Sequence, residues 1–132
     1  MTNNLKIFIG NWKMYGDISS LKILRRINTF LNTKKSKMRP RVIMCIPSIL
    51  LYPFSKYLKN SKLSLGAQNC HEIDSCGPFT GSISAQMLKK AGAKYVILGH
   101  SENRNEGDTN SIIKKKIEAS LSKKLNVIFC IG

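Results

Sequence analysis

Three side chains capable of acid–base chemistry, His100, Ser101 and Glu102, follow directly on the apolar run Tyr95-Val96-Ile97-Leu98 and a glycine, Gly99. A buried parallel strand reads as such an unbroken apolar run, and α/β enzymes carry their chemistry beyond the carboxyl ends of those strands. Near the N-terminus, a second apolar run leads through Gly10 into Asn11 and Lys13. An ammonium, an imidazole and a carboxylate together suit the polarisation of a carbonyl group on an anionic substrate. Lysine supplies positive charge where negative charge develops, and an imidazole held neutral by a helix N-terminus donates a hydrogen bond to a forming enolate oxygen. Singly, each residue also has an ordinary reading. Lys13 is then a solvated amine and Asn11 a turn former bonding its own backbone. His100 is a satisfied structural histidine, and Ser101 and Glu102 are the cap and first-turn acid of a short helix. Their expected convergence on one rim favours the chemical reading.

That convergence depends on the elements between them. Apolar, strand-like runs occur at residues 5–9, 42–46, 63–67, 95–98 and 127–131, with helical patterns between them. Asp17 caps a helix whose Leu21, Leu24, Ile27 and Leu31 share a face. Ser48, after Pro47, opens a short second helix running to Leu58. Thr80 or Ser82 opens a third, carrying Ile83, Met87 and Leu88, and residues 108–124 form a fourth with Ile113, Ile117 and Leu121 at four-residue spacing. Alternating strands and helices predict a parallel α/β fold. Right-handed crossovers then bring every strand's carboxyl end to one side. Asn11 and Lys13, Pro47-Ser48, Gln68-Asn69 and His100-Ser101-Glu102 gather there. A flavodoxin-like open sheet satisfies the same periodicity, which leaves barrel and open sheet undecided.

The bulk properties bound the rest. A chain of 132 residues makes at most one ordinary domain. Its hydrophobic fraction of 42% and only 4 prolines argue for a packed chain rather than a disordered one. No apolar run approaches the roughly 20 residues of a membrane helix. Met1-Thr2-Asn3-Asn4 has no signal-peptide pattern, so a cytoplasmic protein is expected. The formal charge is +15, but its lysine pairs, such as Lys34-Lys35, Lys89-Lys90 and Lys123-Lys124, fall on polar helix faces or C-terminal ends. They read as a solvated surface that still attracts anionic ligands; a nucleic-acid partner is not expected. Cys45 and Cys130 sit inside strand-like runs as small hydrophobes. Cys70-His71 with Cys76 matches no common zinc spacing, so the expectation is four reduced thiols and no metal.

Taken together, several motifs resemble the triosephosphate isomerase family: Ile9-Gly10-Asn11-Trp12-Lys13-Met14, Gly66-Ala67-Gln68-Asn69, Phe79-Thr80-Gly81, 95–102, and Cys130-Ile131-Gly132. They follow in the family's order along the whole chain. The resemblance implies a (β/α)8 TIM barrel, of which residues 1–132 are the N-terminal portion: the first four βα units and the fifth strand. It implies interconversion of dihydroxyacetone phosphate and D-glyceraldehyde 3-phosphate, in glycolysis and gluconeogenesis, without a cofactor. It assigns Asn11 and Lys13 to substrate binding, His100 with Lys13 to catalysis, His100 as the electrophile, and Ser101 and Glu102 to the supporting rim. A homodimer formed through the loop around Thr80 is implied as well.

The family's catalytic base, a glutamate after the sixth strand, has no counterpart in these 132 residues, and neither do its later glycine-rich phosphate loops. A truncated half barrel, inactive alone, is therefore the expectation. The alternative is a half-barrel subunit completed by a second chain, and a polyanion-binding fragment is the least favoured. Asn103 and Ser82 stand where the family carries an arginine and an acid of a buried charge cluster, which reads as joint loss.

Overall fold

A computed structural model describes residues 6–33, 40–58 and 60–131. Residue 5 of the expected first strand, Lys34-Lys35 and Gly132 lie outside the described residues. Five strands form: β1 (Ile7–Asn11), β2 (Arg41–Cys45), β3 (Leu63–Ala67), β4 (Tyr95–Leu98) and β5 (Asn126–Phe129). They make one parallel sheet in the order β1-β2-β3-β4-β5. That order decides between the two architectures left open by periodicity. A flavodoxin-like sheet places its second strand outside its first, whereas a barrel pairs each strand with its sequence neighbour. The register runs Asn11↔Cys45, Cys45↔Gly66, Gly66↔Tyr95 and Ile97↔Ile128. This is the wall of a half barrel.

Alternation along each strand splits the apolar residues between two faces. On the inner face Ile43, Cys45 and Ile97 are buried, with Tyr95, Ile128 and Cys130 against them. The outer face carries the larger core, where Leu63, Leu65, Ala67, Val96 and Leu98 meet the helices. These helices are α1 (Leu21–Thr33), α2 (Ser48–Tyr57), α3 (Ala85–Lys90), α4 (Ser101–Asn105) and α5 (Asn110–Ser122). Leu24, Leu50, Leu51, Phe54 and Leu88 are at most 1% exposed, so these helices are pinned by packing. At the margins, Ile7, Phe8 and Ile9 of β1 are 50%, 56% and 47% exposed and Phe129 of β5 is 49% exposed. No helix among the described residues is long and apolar enough to cross a membrane.

Several boundaries differ from expectation. Asp17 caps a single 3-10 turn, Ile18–Ser20, rather than α1 directly; its side chain accepts from the Ser20 N–H while the Ser20 hydroxyl accepts from the Asp17 N–H. α2 starts at Ser48 with Pro47 in the capping position and no side-chain cap bond. α3 begins neither at Thr80 nor at Ser82: Ser84 is the cap, accepting from the Met87 N–H at 3.3 Å. Its buried residues are Ala85 and Leu88, whereas Met87 is exposed. α5 is capped by Thr109 and buries Ile113, Lys116 and Ser120, leaving Leu121 exposed. A four-residue spacing advances about 400° around a helix, so by Leu121 the 113/117/121 stripe has turned well away from the core.

Candidate active site

At the end of β1 the chain continues the ladder for one residue, the Trp12 N–H donating to the Cys45 carbonyl at 2.9 Å. The indole packs edge-on against Phe54 with ring centroids 6.2 Å apart. Anchored there, the backbone turns into a left-handed conformation at Lys13, φ +53°. A residue with a Cβ pays about 1–2 kcal/mol for this, so something must hold it. Two amide side chains do. Asn11 Oδ1 accepts from the Lys13 N–H at 2.9 Å, and Gln68 Nε2 donates to the Lys13 carbonyl at 2.8 Å. Gln68 Nε2 also lies 3.2 Å from Asn11 Oδ1 and 3.3 Å from the Cys45 carbonyl, so its two hydrogens are shared among three acceptors. The Lys13 ammonium then reaches Glu102 Oε1 at 2.6 Å.

The end of β4 supplies the opposite wall. Gly99 has φ +75°, and a Cβ there would stand 3.0 Å from the Cys130 carbonyl oxygen and 3.1 Å from an Arg104 guanidinium nitrogen. A side chain at this turn would be strained by its φ and crowded by both neighbours. His100 then caps α4 through its ring: Nδ1 accepts from the Glu102 N–H at 3.2 Å. The expected cap, Ser101, is instead the exposed first residue of α4. With the Nδ1 lone pair engaged, the proton of the uncharged ring sits on Nε2. Glu102 Oε2 lies 3.6 Å from Nδ1, beyond hydrogen-bond reach of a nitrogen already accepting. The hydrogen bond from Lys13 holds the Glu102 carboxyl below its ordinary value of 4.5, aided by the Lys13 charge. Arg104 braces this corner. It donates to the Gly99 carbonyl at 2.8 Å and Asn110 Oδ1 at 2.8 Å, and lies 3.4 Å from the Cys130 carbonyl.

Asn11, Lys13, Gln68, His100 and Glu102 line one cleft of about 770 Å³. Ser101 is not part of its lining. In its wall, the largely buried Lys116 ammonium meets both Asp108 oxygens at 2.7 Å and Asn69 Oδ1 at 3.1 Å. Ser82 and Asn103 line the same cleft. Cys70, His71 and Cys76 are engaged separately. The Cys70 sulfur packs 3.3 Å from the Ser120 hydroxyl, while His71 Nδ1 accepts from the Ile73 N–H and Cys76 is exposed. Among the described residues, no group of three or more His, Cys, Asp or Glu could hold a metal ion.

Four residues of this arrangement escaped the sequence reading: Gln68 as a brace, Arg104, and the Lys116–Asp108 pair. Gln68 was already placed on the rim by position, but its reach to Lys13 spans 55 residues and leaves no trace in spacing. A polar residue on the buried stripe of α5 was the available sign of Lys116.

The match to known proteins covers nearly the whole chain. The family model described as triosephosphate isomerase matches residues 6–132. The chain belongs to the triosephosphate isomerase family. It is 42% identical to the triosephosphate isomerase of Bartonella quintana over the whole chain and 52% of that relative. It is 38% identical to the triosephosphate isomerase of Aquifex aeolicus over 96% of the chain and 51% of that relative. The crystal structure of triosephosphate isomerase from Bartonella henselae superposes with a TM-score of 0.87 at 38% identity, covering 96% of this chain and 52% of that one. The chain thus spans about half the length of the curated relatives it matches. The sheet order and the triosephosphate isomerase match agree: the five sequential strands are the first part of a barrel.

Proposed function

We propose that residues 1–132 are the N-terminal portion of a single triosephosphate isomerase barrel domain. The whole barrel interconverts dihydroxyacetone phosphate and D-glyceraldehyde 3-phosphate, in the cytoplasm, as a step of glycolysis and gluconeogenesis and without a cofactor. The observation that carries this reading is the Glu102 N–H bond to His100 Nδ1, which leaves a donor at Nε2 in a cleft that also holds the Lys13 ammonium.

In this reading Asn11 and Lys13 bind the anionic substrate. A base removes the proton from the carbon beside the carbonyl, the C–H electron pair forms a C=C bond, and the carbonyl pair moves onto oxygen. His100 Nε2–H donates to that oxygen as its charge grows, which is where a pre-oriented donor lowers the barrier most. Ser101 and Glu102 form the supporting rim. Glu102 is ill suited to be the base, because the Lys13 ammonium stabilises its ionised form and occupies Oε1. In this reading the base is the family's glutamate after the sixth strand, carried by the same polypeptide or by a complementing chain.

The whole enzyme pairs with a second copy through the loop around Thr80. Supporting this is the exposure of Phe79 in that loop and of Met14 and Tyr15, which share a cleft with Ser82. The test is a chimera joining residues 1–132 to the C-terminal half of the Bartonella henselae enzyme. His100→Gln should lower kcat by roughly 10²–10³-fold, and Lys13→Met should raise KM as well. A chimera active and indifferent to both substitutions contradicts the assignment.

A further inference from the structure

The seven carboxylates of this chain are unevenly placed. From Ile18 to His71, and again from Ser75 to Ser101, the sequence contains no aspartate or glutamate. The elements α2, β3 and α3 fall in those stretches. At the end of the sheet opposite the candidate active site, these elements and the start of β4 enclose a second cleft of about 380 Å³. Its lining includes Lys56, Lys90, Lys94, Ser55 and Tyr52.

Lysine at a helix C-terminus is ordinarily explained by the helix dipole, and two neighbours behave that way. Lys89 Nζ donates to the Lys124 carbonyl at 2.7 Å, and Lys62 Nζ donates to the Leu31 carbonyl at 3.2 Å. The three lysines of the cleft differ. Among the described residues, no ion pair includes Lys56, Lys90 or Lys94. Lys56 lies 4.8 Å from the centre of the Tyr52 ring, an arrangement that fixes the ammonium without neutralising it. The lysines that do meet carboxylates, Lys13, Lys114, Lys115, Lys116 and Lys123, belong to the active-site rim and α5.

We propose that this cleft is a binding site for a linked-phosphate anion, the chemistry shared by free polyphosphate and the phosphate tail of a nucleotide. Lysines from three segments line one concavity, and neither α2, β3 nor α3 offers a carboxylate to compete. A chain of two or three phosphates presents several charges at a spacing that one monoanion lacks, so it engages more than one lysine at once. A concavity of about 380 Å³ keeps the ligand small.

The experiment is an amide NMR titration of the isotope-labelled 132-residue chain, in complex with the C-terminal half of the Bartonella henselae enzyme, with sodium tripolyphosphate and, separately, with ATP. Saturable shifts are expected at residues 52–58 and 90–94, weakening as salt is added. The Lys90→Gln/Lys94→Gln variant should bind about tenfold or more weakly, whereas Lys13→Met should leave this binding unchanged. Equal affinities for the two ligands assign the source to free polyphosphate, and tighter binding of ATP assigns it to a nucleotide; both support the site. Shifts spread evenly over all lysines without saturation, or affinity unaltered in the double lysine variant, overturn the proposal.

Discussion

At the scale of single residues, the candidate site rests on local bonds that set charge and direction. Glu102 is held below its ordinary value of 4.5, first by its hydrogen bond from Lys13. Its ionised form is therefore favoured in the folded state. The Lys13–Glu102 contact should be fully present above the ordinary glutamate range and be lost only as pH falls through the depressed value. A carbon-13 NMR titration of the Glu102 carboxyl should give a midpoint below 4.5, and Lys13→Ala should move it upward; an unmoved midpoint contradicts the assigned cause. Burial, with a smaller contribution from Cys130, pushes the Cys45 thiol up to about 12. At pH 8 only about one Cys45 in ten thousand is then a thiolate. Disulfide-exchange reagents should modify exposed Cys76 rapidly and Cys45 only on unfolding; equal rates in the folded chain contradict this. Asn11, Lys13 and His100 were legible in sequence because strand ends concentrate chemistry. His100 as its own helix cap was not, because serine is the commoner cap and a ring nitrogen accepting a backbone N–H has no spacing signature.

At the scale of elements, strands were read more faithfully than helices. An apolar run marks a buried strand directly, and β3 and β4 begin and end where the sequence places them. α3 starts later than its sequence implies because Thr80-Gly81-Ser82 forms a separate turn. Gly81 has φ +81° and the Ser82 N–H donates to the Phe79 carbonyl at 3.0 Å, so the helix waits for Ser84. α5 was placed well, but its buried stripe carries a lysine, and the reason lies in a partner before the helix. Lys116 and Asp108 have side chains only 9% and 12% exposed. Removing one member of such a pair leaves a buried charge uncompensated. Asp108→Ala should cost about 3–5 kcal/mol in urea unfolding, with Asp108→Ala/Lys116→Met costing less than the sum of the single changes. Additive costs contradict a coupled pair.

At the scale of the whole molecule, the sequential strand order fixes the half-barrel wall, and periodicity alone could not supply it because an open sheet repeats the same elements. The half-exposed apolar residues of β1 and β5 are unpaired strand edges, which favour association. Sedimentation of the isolated chain should therefore show a concentration-dependent spread of oligomers that collapses to a defined species when the C-terminal half of the Bartonella henselae enzyme is added. A single monomeric species at every concentration contradicts this. The central claim is that these residues hold the cation and the electrophile of an isomerase but not the glutamate that serves the family as base. It is tested most directly by the rate of triose phosphate interconversion, measured for the 132-residue chain alone and after mixing with that C-terminal half. The expected result is no turnover alone and turnover on mixing, abolished by His100→Gln. Turnover by the chain alone would contradict it, since Glu102 or Glu106 would then be serving as the base.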